Sequence, residues 1–263
     1  MERRTLGTSQ KACIESIIKK FGQENAKPCL TQLEPDGHLT KADEPQTEED
    51  KSKMKLKPYR TLVGSLVYLA CGTRPDISVA VAKISRFLEN PGEKHWDAGM
   101  KVVRYLLKTK DVGIVHDGLL GTQLEAYSDA DWAGNRDERR SKTNALSSTE
   151  AEYMALGDCV KECVWMRRLL KDIGAELVGA TVIYEDNQGA MALANNVGYK
   201  PRTKHIDIRY HFIRDMVVSN EVELEYLDTK NQFADFMTKG LSSMTLRYLM
   251  MRSNVGPNLE TSN

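Results

Sequence analysis

The sequence predicts a mixed α/β fold preceded by a small helical unit, and two patterns carry this prediction. Between residues 59 and 110, apolar residues recur with the helical period of about 3.6 positions that is typical of buried amphipathic helices. From residue 112 onward, short strand-like runs alternate with helix-like runs. Such alternation is typical of an α/β domain with a partly parallel sheet and flanking helices.

Three predicted helices make up the helical unit, over residues 59–70, 76–89 and 93–108. Each places its apolar residues on one stripe, which predicts helices that pack against one another. The stripes are Leu62, Leu66 and Leu69; Ile77, Val81, Ile84 and Leu88; and Trp96, Met100, Val103 and Leu107.

Two segments precede this unit. Residues 10–22 place Ile14, Ile17 and Ile18 on one helical face, and Gly22 marks the end of that helix. Residues 33–58 are charged and have no period, so they are interpreted as a linker or loop. The lysine-rich run "KSKMKLKP" within this segment is interpreted as solvated, with phosphate contact as the alternative.

The predicted α/β part starts with two short strands, in "VGIVHDG" and "TQLEAYSDAD", followed by a long helix over 149–172. A buried strand at 180–184, a short helix in "GAMALANN", a helix over 203–219 and a last helix in "NQFADFMTKGL" are also predicted. In the strand over 221–227, alternation predicts that Val222, Leu224 and Tyr226 face the core.

Composition narrows the class of protein. The chain has 263 residues, and Lys+Arg and Asp+Glu both number 37, so net charge predicts no partner. The sequence contains no run of 18 apolar residues, so no membrane-spanning helix is expected. The stretch "MERRTLGTSQ" does not resemble a secretory signal. The five scattered cysteines indicate a reducing compartment. Cys159 and Cys163, four apart on a predicted helix, are interpreted as small core residues.

Four carboxylates lie at the ends of predicted elements. Asp129 ends one strand, Asp186 follows the next, and Glu152 and Asp235 lie in the first turns of helices. In open α/β sheets, sites form outside the carboxyl ends of strands. Converging carboxylates there are stable only with cations, and their hard oxygen ligands favour Mg²⁺.

Each acid also has a purely structural interpretation. Asp186 fits a helix N-cap, Thr149 and Glu152 fit a capping box, Asp235 fits a first-turn acid, and Asp129 fits a turn. Glu152, however, heads the predicted buried stripe of its helix, where an unpaired acid is costly. That stripe consists of Glu152, Ala155, Cys159, Cys163, Met166 and Leu170.

A series of motifs resembles the copia-type retrotransposon polyproteins over residues 8 to about 245. The motifs are "SQKACIESIIKKFG", "YRTLVGSLVYLACGTRPDISVAVAKISRFLENP", "HWDAGMKVVRYLLKT", "YSDADWAG", "ALSSTEAEYMAL", "IYEDNQGAMALA", "RTKHIDIRYHFIRD" and "NQFADFMTKGL". The resemblance implies a thumb-like remnant (1–32), a charged linker (33–58), a helical connection segment (59–110), a ribonuclease H-like mixed-sheet domain (111–245) and a tail (246–263).

The resemblance also implies an activity, which is hydrolysis of the RNA strand of an RNA–DNA hybrid. Asp129, Glu152, Asp186 and Asp235 match the family acids that hold two Mg²⁺ ions, with Mn²⁺ as the alternative ion. Shape and 2′-hydroxyl contacts would recognise the hybrid. The basic residues of "RTKHIDIRYHFIR" are expected to face nucleic acid, and a purely structural helix is the alternative; they include Arg202, Lys204, His205 and Arg209.

Other expectations concern partners and location. The adjacent aspartates of a polymerase palm are absent, so no DNA synthesis is expected from this chain. The expected partners are an RNA–DNA hybrid and the reverse transcriptase palm and fingers of a parent polyprotein, with no membrane. An intracellular location is expected, in the cytoplasm or a virus-like particle, with the nucleus as an alternative, and no secretion.

The segment between Asp129 and Glu152 is shorter than the resemblance requires. Two further strands with their turns need roughly 15–20 residues there, yet "RRSKTN" runs straight into "ALSSTEAE". The sequence therefore predicts a sheet truncated by two strands and a poorly supported site. Three functions remain open: a weakened ribonuclease H, an inactive remnant that binds nucleic acid or protein, and an unrelated Mg²⁺-dependent phosphohydrolase, which the motif order disfavours.

Overall fold

The computed structural model describes residues 5–34, 37–117, 123–130, 145, 147–175, 177–195 and 204–257, without the side chains of 117 and 204–210. Its described elements are β1 (Thr5–Thr8), α1 (Lys11–Lys20), α2 (Glu48–Lys55), α3 (Tyr59–Gly72), α4 (Ser78–Ser85), α5 (Glu93–Lys108), β2 (Val112–Asp117), β3 (Glu125–Tyr127), α6 (Ser148–Asp172), β4 (Thr181–Glu185), α7 (Gln188–Asn195), α8 (Lys204–Val218), β5 (Val222–Tyr226), α9 (Asp235–Thr238), α10 (Ser243–Arg252) and β6 (Val255–Pro257).

These elements form a mixed α/β protein with two open three-stranded sheets, which confirms the predicted fold class. The chain divides into two compact units, residues 1–118 with 235–263 and residues 119–234. In the part of the chain that the structure describes, no helix is both long and apolar enough to cross a bilayer.

The first unit combines the predicted helices with a small antiparallel sheet. Its strands lie in the order β1–β2–β6, so β2 pairs with an N-terminal and a C-terminal strand. The predicted faces of α1 and α3 are confirmed, because Ile14, Ile17 and Ile18 are buried, as are Leu62, Leu66 and Leu69. Residues 59–108 contain α3, α4 and α5, as predicted.

The buried face of α5 differs from its predicted stripe. Of the predicted stripe, Val103 is buried, but Trp96, Met100 and Leu107 are only half-buried. His95, Val102 and Leu106 are buried instead. A methyl group at Gly99 would lie 2.7 Å from Leu62 Cδ2, so this glycine brings α5 close against α3. That close approach selects the face centred on Gly99, a contact that apolar periodicity does not report.

The segment interpreted as a charged linker contains the helix α2. The Thr47 hydroxyl accepts a hydrogen bond from the Asp50 backbone N–H, which caps the helix. Ion pairs join Lys51 to Glu48 and Lys53 to Glu49 along its exposed surface. The N-cap and the ion pairs between neighbouring turns therefore stabilise a helix that has no apolar stripe.

The segment interpreted as a tail is structured up to Pro257. In α10, Leu246, Leu249 and Met250 are buried, and β6 forms an edge of the first sheet beside β2. The Ser242 hydroxyl accepts a hydrogen bond from the Thr245 N–H and caps α10. Burial of three apolar side chains gives this segment its order.

The first unit also contains a buried ion pair. Arg74 donates from Nε and Nη2 to the two carboxylate oxygens of Asp76, at 2.9 and 2.7 Å, and both side chains are fully buried. The Tyr105 hydroxyl donates to the same carboxylate at 2.8 Å, and Arg74 Nη1 donates to the Thr109 carbonyl. The charges are therefore matched by hydrogen bonds, which compensates for part of their desolvation.

The second unit is built on a parallel sheet in the order β3–β4–β5, with β3 at one edge. Helices α6, α7 and α8 contribute to one apolar core on this sheet. The core consists of Tyr153, Leu156, Val160, Cys163, Val164, Ile183, Ala190, Ala194, Ile213 and Val222. The described part of this sheet has three strands. The predicted loss of two strands concerns residues 131–144, which lie outside the described residues.

Two predicted faces in this unit are wrong in detail. On α6, Glu152 and Cys163 of the predicted stripe are buried, but its other members are only half-buried. Tyr153, Leu156 and Val160 lie in the core beside them. Tyr226 was expected to face the core but is 51% exposed. It lies at the last position of β5, where the core no longer covers the strand.

Candidate metal centre

The parallel pairing of β3 and β4 brings two aspartates to one edge of the sheet. Tyr127 lies opposite Tyr184 in the register of these strands. Asp129 and Asp186 each follow two residues later, so both come just beyond the carboxyl ends of adjacent strands. The Ser128 backbone N–H donates to the Tyr184 carbonyl at 3.0 Å, which extends the pairing toward Asp129.

The first turns of α6 bring Glu152 to the same edge. Its carboxylate Oε2 accepts a hydrogen bond from the backbone N–H of Ala130 at 2.8 Å. The side chain is only 9% exposed. This contact joins the start of α6 to the backbone that follows β3, so Glu152 is held beside Asp129.

Asp129, Glu152 and Asp186 form one cluster. A carboxylate oxygen from each lies within 4.8 Å of the other two. The Asp186 carboxylate also accepts a hydrogen bond from the Thr229 hydroxyl at 2.7 Å. The sequence predicted that these three carboxylates converge, and the structure brings them together.

Helix capping does not account for Glu152 or Asp186. The N-cap of α6 is Ser147, whose hydroxyl accepts from the Glu150 N–H. At the start of α7, Asn187 Oδ1 accepts from the Ala190 N–H. Since neighbouring residues cap both helices, the structural interpretations of these two acids as caps are wrong.

A fourth carboxyl group, Glu185, lies beside the cluster and was not singled out by the sequence analysis. It is fully buried, and Oε1 accepts from the Asn187 N–H at 3.0 Å. The pKa of Glu185 is raised to about 8, chiefly by burial and to a lesser degree by the negative charges of Glu152 and Asp186, while the hydrogen bond from the Asn187 N–H lowers it. The sequence did contain a signal for this burial, because Glu185 takes the last inward-facing position of the buried strand β4.

The remaining predicted site residues belong to the first unit or have side chains outside the described part. Asp235 begins α9 in the first unit, where it is buried and accepts from Lys239 Nζ at 2.6 Å. Its first-turn position agrees with the structural interpretation given above. Arg202 lies outside the described residues, and Lys204, His205 and Arg209 lie in α8 where side chains are not described.

The three clustered carboxylates fit a divalent cation. They offer only hard oxygen ligands, which suit Mg²⁺ or Mn²⁺ better than softer metals. Without a cation, their negative charges repel one another at this separation. Burial is the main cause of the raised pKa of Glu185, and the charges of Glu152 and Asp186 add to it.

Comparison with known proteins shows similarity to retrotransposon polyproteins over most of the chain. The chain is 40% identical over 256 residues to the "Retrovirus-related Pol polyprotein from transposon TNT 1-94" of Nicotiana tabacum, covering 90% of the chain and 19% of that protein. It is 37% identical over 262 residues to the corresponding polyprotein of transposon RE1 from Arabidopsis thaliana, covering 90% and 17%.

A shorter match concerns a different protein. The chain is 40% identical over 133 residues to "Secreted RxLR effector protein 161" of Plasmopara viticola, covering 43% of the chain and 94% of that protein. No protein-family model and no solved structure matches the chain.

The chain belongs to the copia-type retrotransposon Pol polyproteins and fits the C-terminal segment of such a polyprotein. It spans about one fifth of the length of the Pol polyproteins that it matches.

Proposed function

We propose that the chain is the ribonuclease H-type part of a retrotransposon polyprotein and hydrolyses the RNA strand of RNA–DNA hybrids. The convergence of Asp129, Glu152 and Asp186 within 4.8 Å supports this proposal most strongly. Each of these residues lies in a motif that resembles the family's acidic motifs. Asp235 is proposed as the fourth member of the set on the resemblance of "NQFAD" alone.

The carboxylates would hold two Mg²⁺ ions, or Mn²⁺ in their place. When bound, such ions supply electrostatic stabilisation of the charge that develops at the scissile phosphate. The residues of the chain fix the ligands: the Ala130 N–H orients Glu152, and the Thr229 hydroxyl orients Asp186. Asp129 follows directly from the sheet edge. Without cations, the negative cluster repels the phosphate backbone of the hybrid.

The truncated sheet weakens this site in our proposal. Strand β3, which precedes Asp129, has only three residues and is paired on one side by β4 in the described sheet. Metal-dependent catalysis requires ligands that are held by a rigid surrounding shell. We therefore propose weak hybrid binding and slow cleavage. In the parent polyprotein, the reverse transcriptase palm and fingers are the proposed partners.

A hybrid-cleavage assay tests the proposal. The full chain is incubated with a labelled RNA–DNA hybrid in Mg²⁺, Mn²⁺ or EDTA, beside an Asp186→Asn variant and a matched Asp172→Asn control. Asp172 is exposed and lies at the end of α6. We expect slow cleavage that needs the metal, is lost in Asp186→Asn and is kept in Asp172→Asn. Cleavage that persists in EDTA or in Asp186→Asn contradicts the proposal.

The second candidate is a catalytically inactive remnant that binds nucleic acid or protein. One observation favours it. A protein named as a secreted effector is similar to 43% of this chain, and the match extends over 94% of that protein. A sequence similar to part of this chain thus makes up nearly all of a protein that is named as an effector rather than as a polyprotein. Hybrid binding without cleavage in either metal would support this candidate over the first.

A further inference from the structure

One face of the parallel sheet packs against helices, and the opposite face has a different surface. Ala126, Ile183 and Leu224 lie side by side on adjacent strands and pack into the core with the helices. Successive residues of a strand point to opposite faces, so their neighbours point away from that core. We call this opposite surface the outer sheet face; it comprises Glu125, Tyr127, Val182, Tyr184, Glu223 and Glu225.

The strand register arranges the outer sheet face as two short rows. Glu125, Val182 and Glu223 lie opposite one another in the first row, and Tyr127, Tyr184 and Glu225 in the second. All three glutamates are exposed, whereas the tyrosines are half-buried. With strands roughly 4.8 Å apart, the outermost residues of each row are about 10 Å apart.

The aromatic rings of this face form a stacked platform. The Tyr127 and Tyr184 rings are stacked with centroids 4.9 Å apart, and Phe233 tilts against Tyr127 at 4.7 Å. Burial raises the pKa of the Tyr184 phenol, and the nearby carboxylates of Glu125 and Glu225 raise it further. Aromatic surface and negative charge are therefore combined at one place.

Within the described part of the chain, the outer sheet face carries negative charge without matching cations. Among the described residues, no ion pair involves Glu125, Glu223 or Glu225. Parallel sheets are normally covered on both faces. A cover of positive charge would neutralise the glutamates, and guanidinium groups also stack on tyrosine rings. Nucleic acid is disfavoured here because its phosphates are negative.

We propose that the outer sheet face binds an arginine- and lysine-rich segment of a partner protein. The glutamates pair with its cations, and the stacked tyrosines accept its guanidinium groups. The helices that pack on the sheet lie on the opposite face. This interaction is separate from the proposed nuclease activity and does not depend on it.

A fluorescent octa-arginine peptide tests this proposal with the full chain in metal-free buffer. The double variant Glu223→Gln/Glu225→Gln removes two charges from the face. The matched control Glu162→Gln/Asp172→Asn removes two exposed charges from α6 instead. Because exposed ion pairs contribute modestly, we expect about five- to tenfold weaker binding in the face variant and less than about twofold in the control.

Three further measurements test whether the peptide binds at the outer sheet face or at the metal centre, whether the tyrosine rings contribute, and whether the variants are folded. Asp186→Asn should keep peptide binding, since the metal centre is a different acidic site. Tyr184→Leu should weaken octa-arginine more than octa-lysine, because ring stacking favours guanidinium groups. Far-ultraviolet circular dichroism checks that each variant is folded.

The proposal is overturned if the face variant and its control lose peptide binding equally, or if only Asp186→Asn loses it. Loss of RNA–DNA hybrid binding in Glu223→Gln/Glu225→Gln would also overturn it, since the face would then serve nucleic acid.

Discussion

Glu152 and Ala130 are joined by a hydrogen bond of 2.8 Å between a carboxylate oxygen and a backbone N–H. The acceptor is charged, and such bonds are stronger than neutral ones. The contact links α6 to the segment that follows the edge strand β3. A residue proposed as a metal ligand therefore also holds its own site together.

The two roles of Glu152 can be separated by substitution. Glutamine keeps an oxygen acceptor for the Ala130 N–H but loses the charge, whereas alanine loses both. We expect the free energy of unfolding of Glu152→Gln to lie within about 1 kcal/mol of that of the unmodified chain. For Glu152→Ala, we expect it to be lower by about 1–3 kcal/mol. Both should lose the stabilisation by Mg²⁺, measured by thermal unfolding with and without the ion.

Glu162→Gln, on an exposed part of the same helix, serves as the control for this series. It should keep both the stability and the response to Mg²⁺. Equal stability of the glutamine and alanine variants would show that the Ala130 contact contributes nothing.

The buried carboxyl group of Glu185 predicts a pH dependence of stability. Its pKa is about 8 in the folded chain against 4.5 as its ordinary value. Between these values the folded state binds more protons than the unfolded state, so the free energy of unfolding falls as pH rises. In metal-free buffer we expect a loss on the order of a few kcal/mol from pH 5 to pH 8, measured by urea unfolding.

Glu185→Gln removes the titration while keeping an acceptor for the Asn187 N–H. The stability of this variant should change less between pH 5 and pH 8 than that of the unmodified chain. An unchanged pH profile in the variant would mean that other groups cause the dependence.

The buried Arg74–Asp76 pair predicts a large effect of removing one charge. Asp76→Asn leaves the Arg74 guanidinium buried without its counter-charge, so we expect a loss of about 3–5 kcal/mol in the free energy of unfolding. Asp158→Asn, at an ion pair with Lys161 in which both side chains are more than half exposed, should cost less than about 1 kcal/mol. Chemical denaturation measures the free energy of unfolding of both variants. If both lose a comparable amount, the expected difference between the buried and the exposed ion pair is wrong.

The proposed truncation of the sheet predicts that a repaired chain is more active. A family-like two-strand insert between Asn144 and Ala145 should give the edge strand a second neighbour and raise Mg²⁺-dependent cleavage of RNA–DNA hybrids. Asp186→Asn in the repaired chain should then abolish cleavage. Initial rates at equal protein concentration provide the measurement. Equal rates with and without the insert would show that the missing strands do not limit activity.

The sequence by itself determined the amphipathic helices of residues 59–108, the strands of the parallel sheet and the convergence of Asp129, Glu152 and Asp186. Helical periodicity and strand ends are local properties, and adjacent parallel strands bring their carboxyl ends to one edge. The buried faces of α1 and α3 followed from the same periodicity, because their apolar stripes are narrow and continuous.

The tertiary structure alone decided the contacts between distant segments. Strand β2 pairs with β1 and β6, which lie far away along the chain, and no local pattern specifies a strand's partners. The shifted face of α5 depends on the close approach of Gly99 to Leu62. Glu185 became distinct from Asp186 only through burial, since neighbouring acids look alike in a sequence while opposite faces of one strand give them different surroundings.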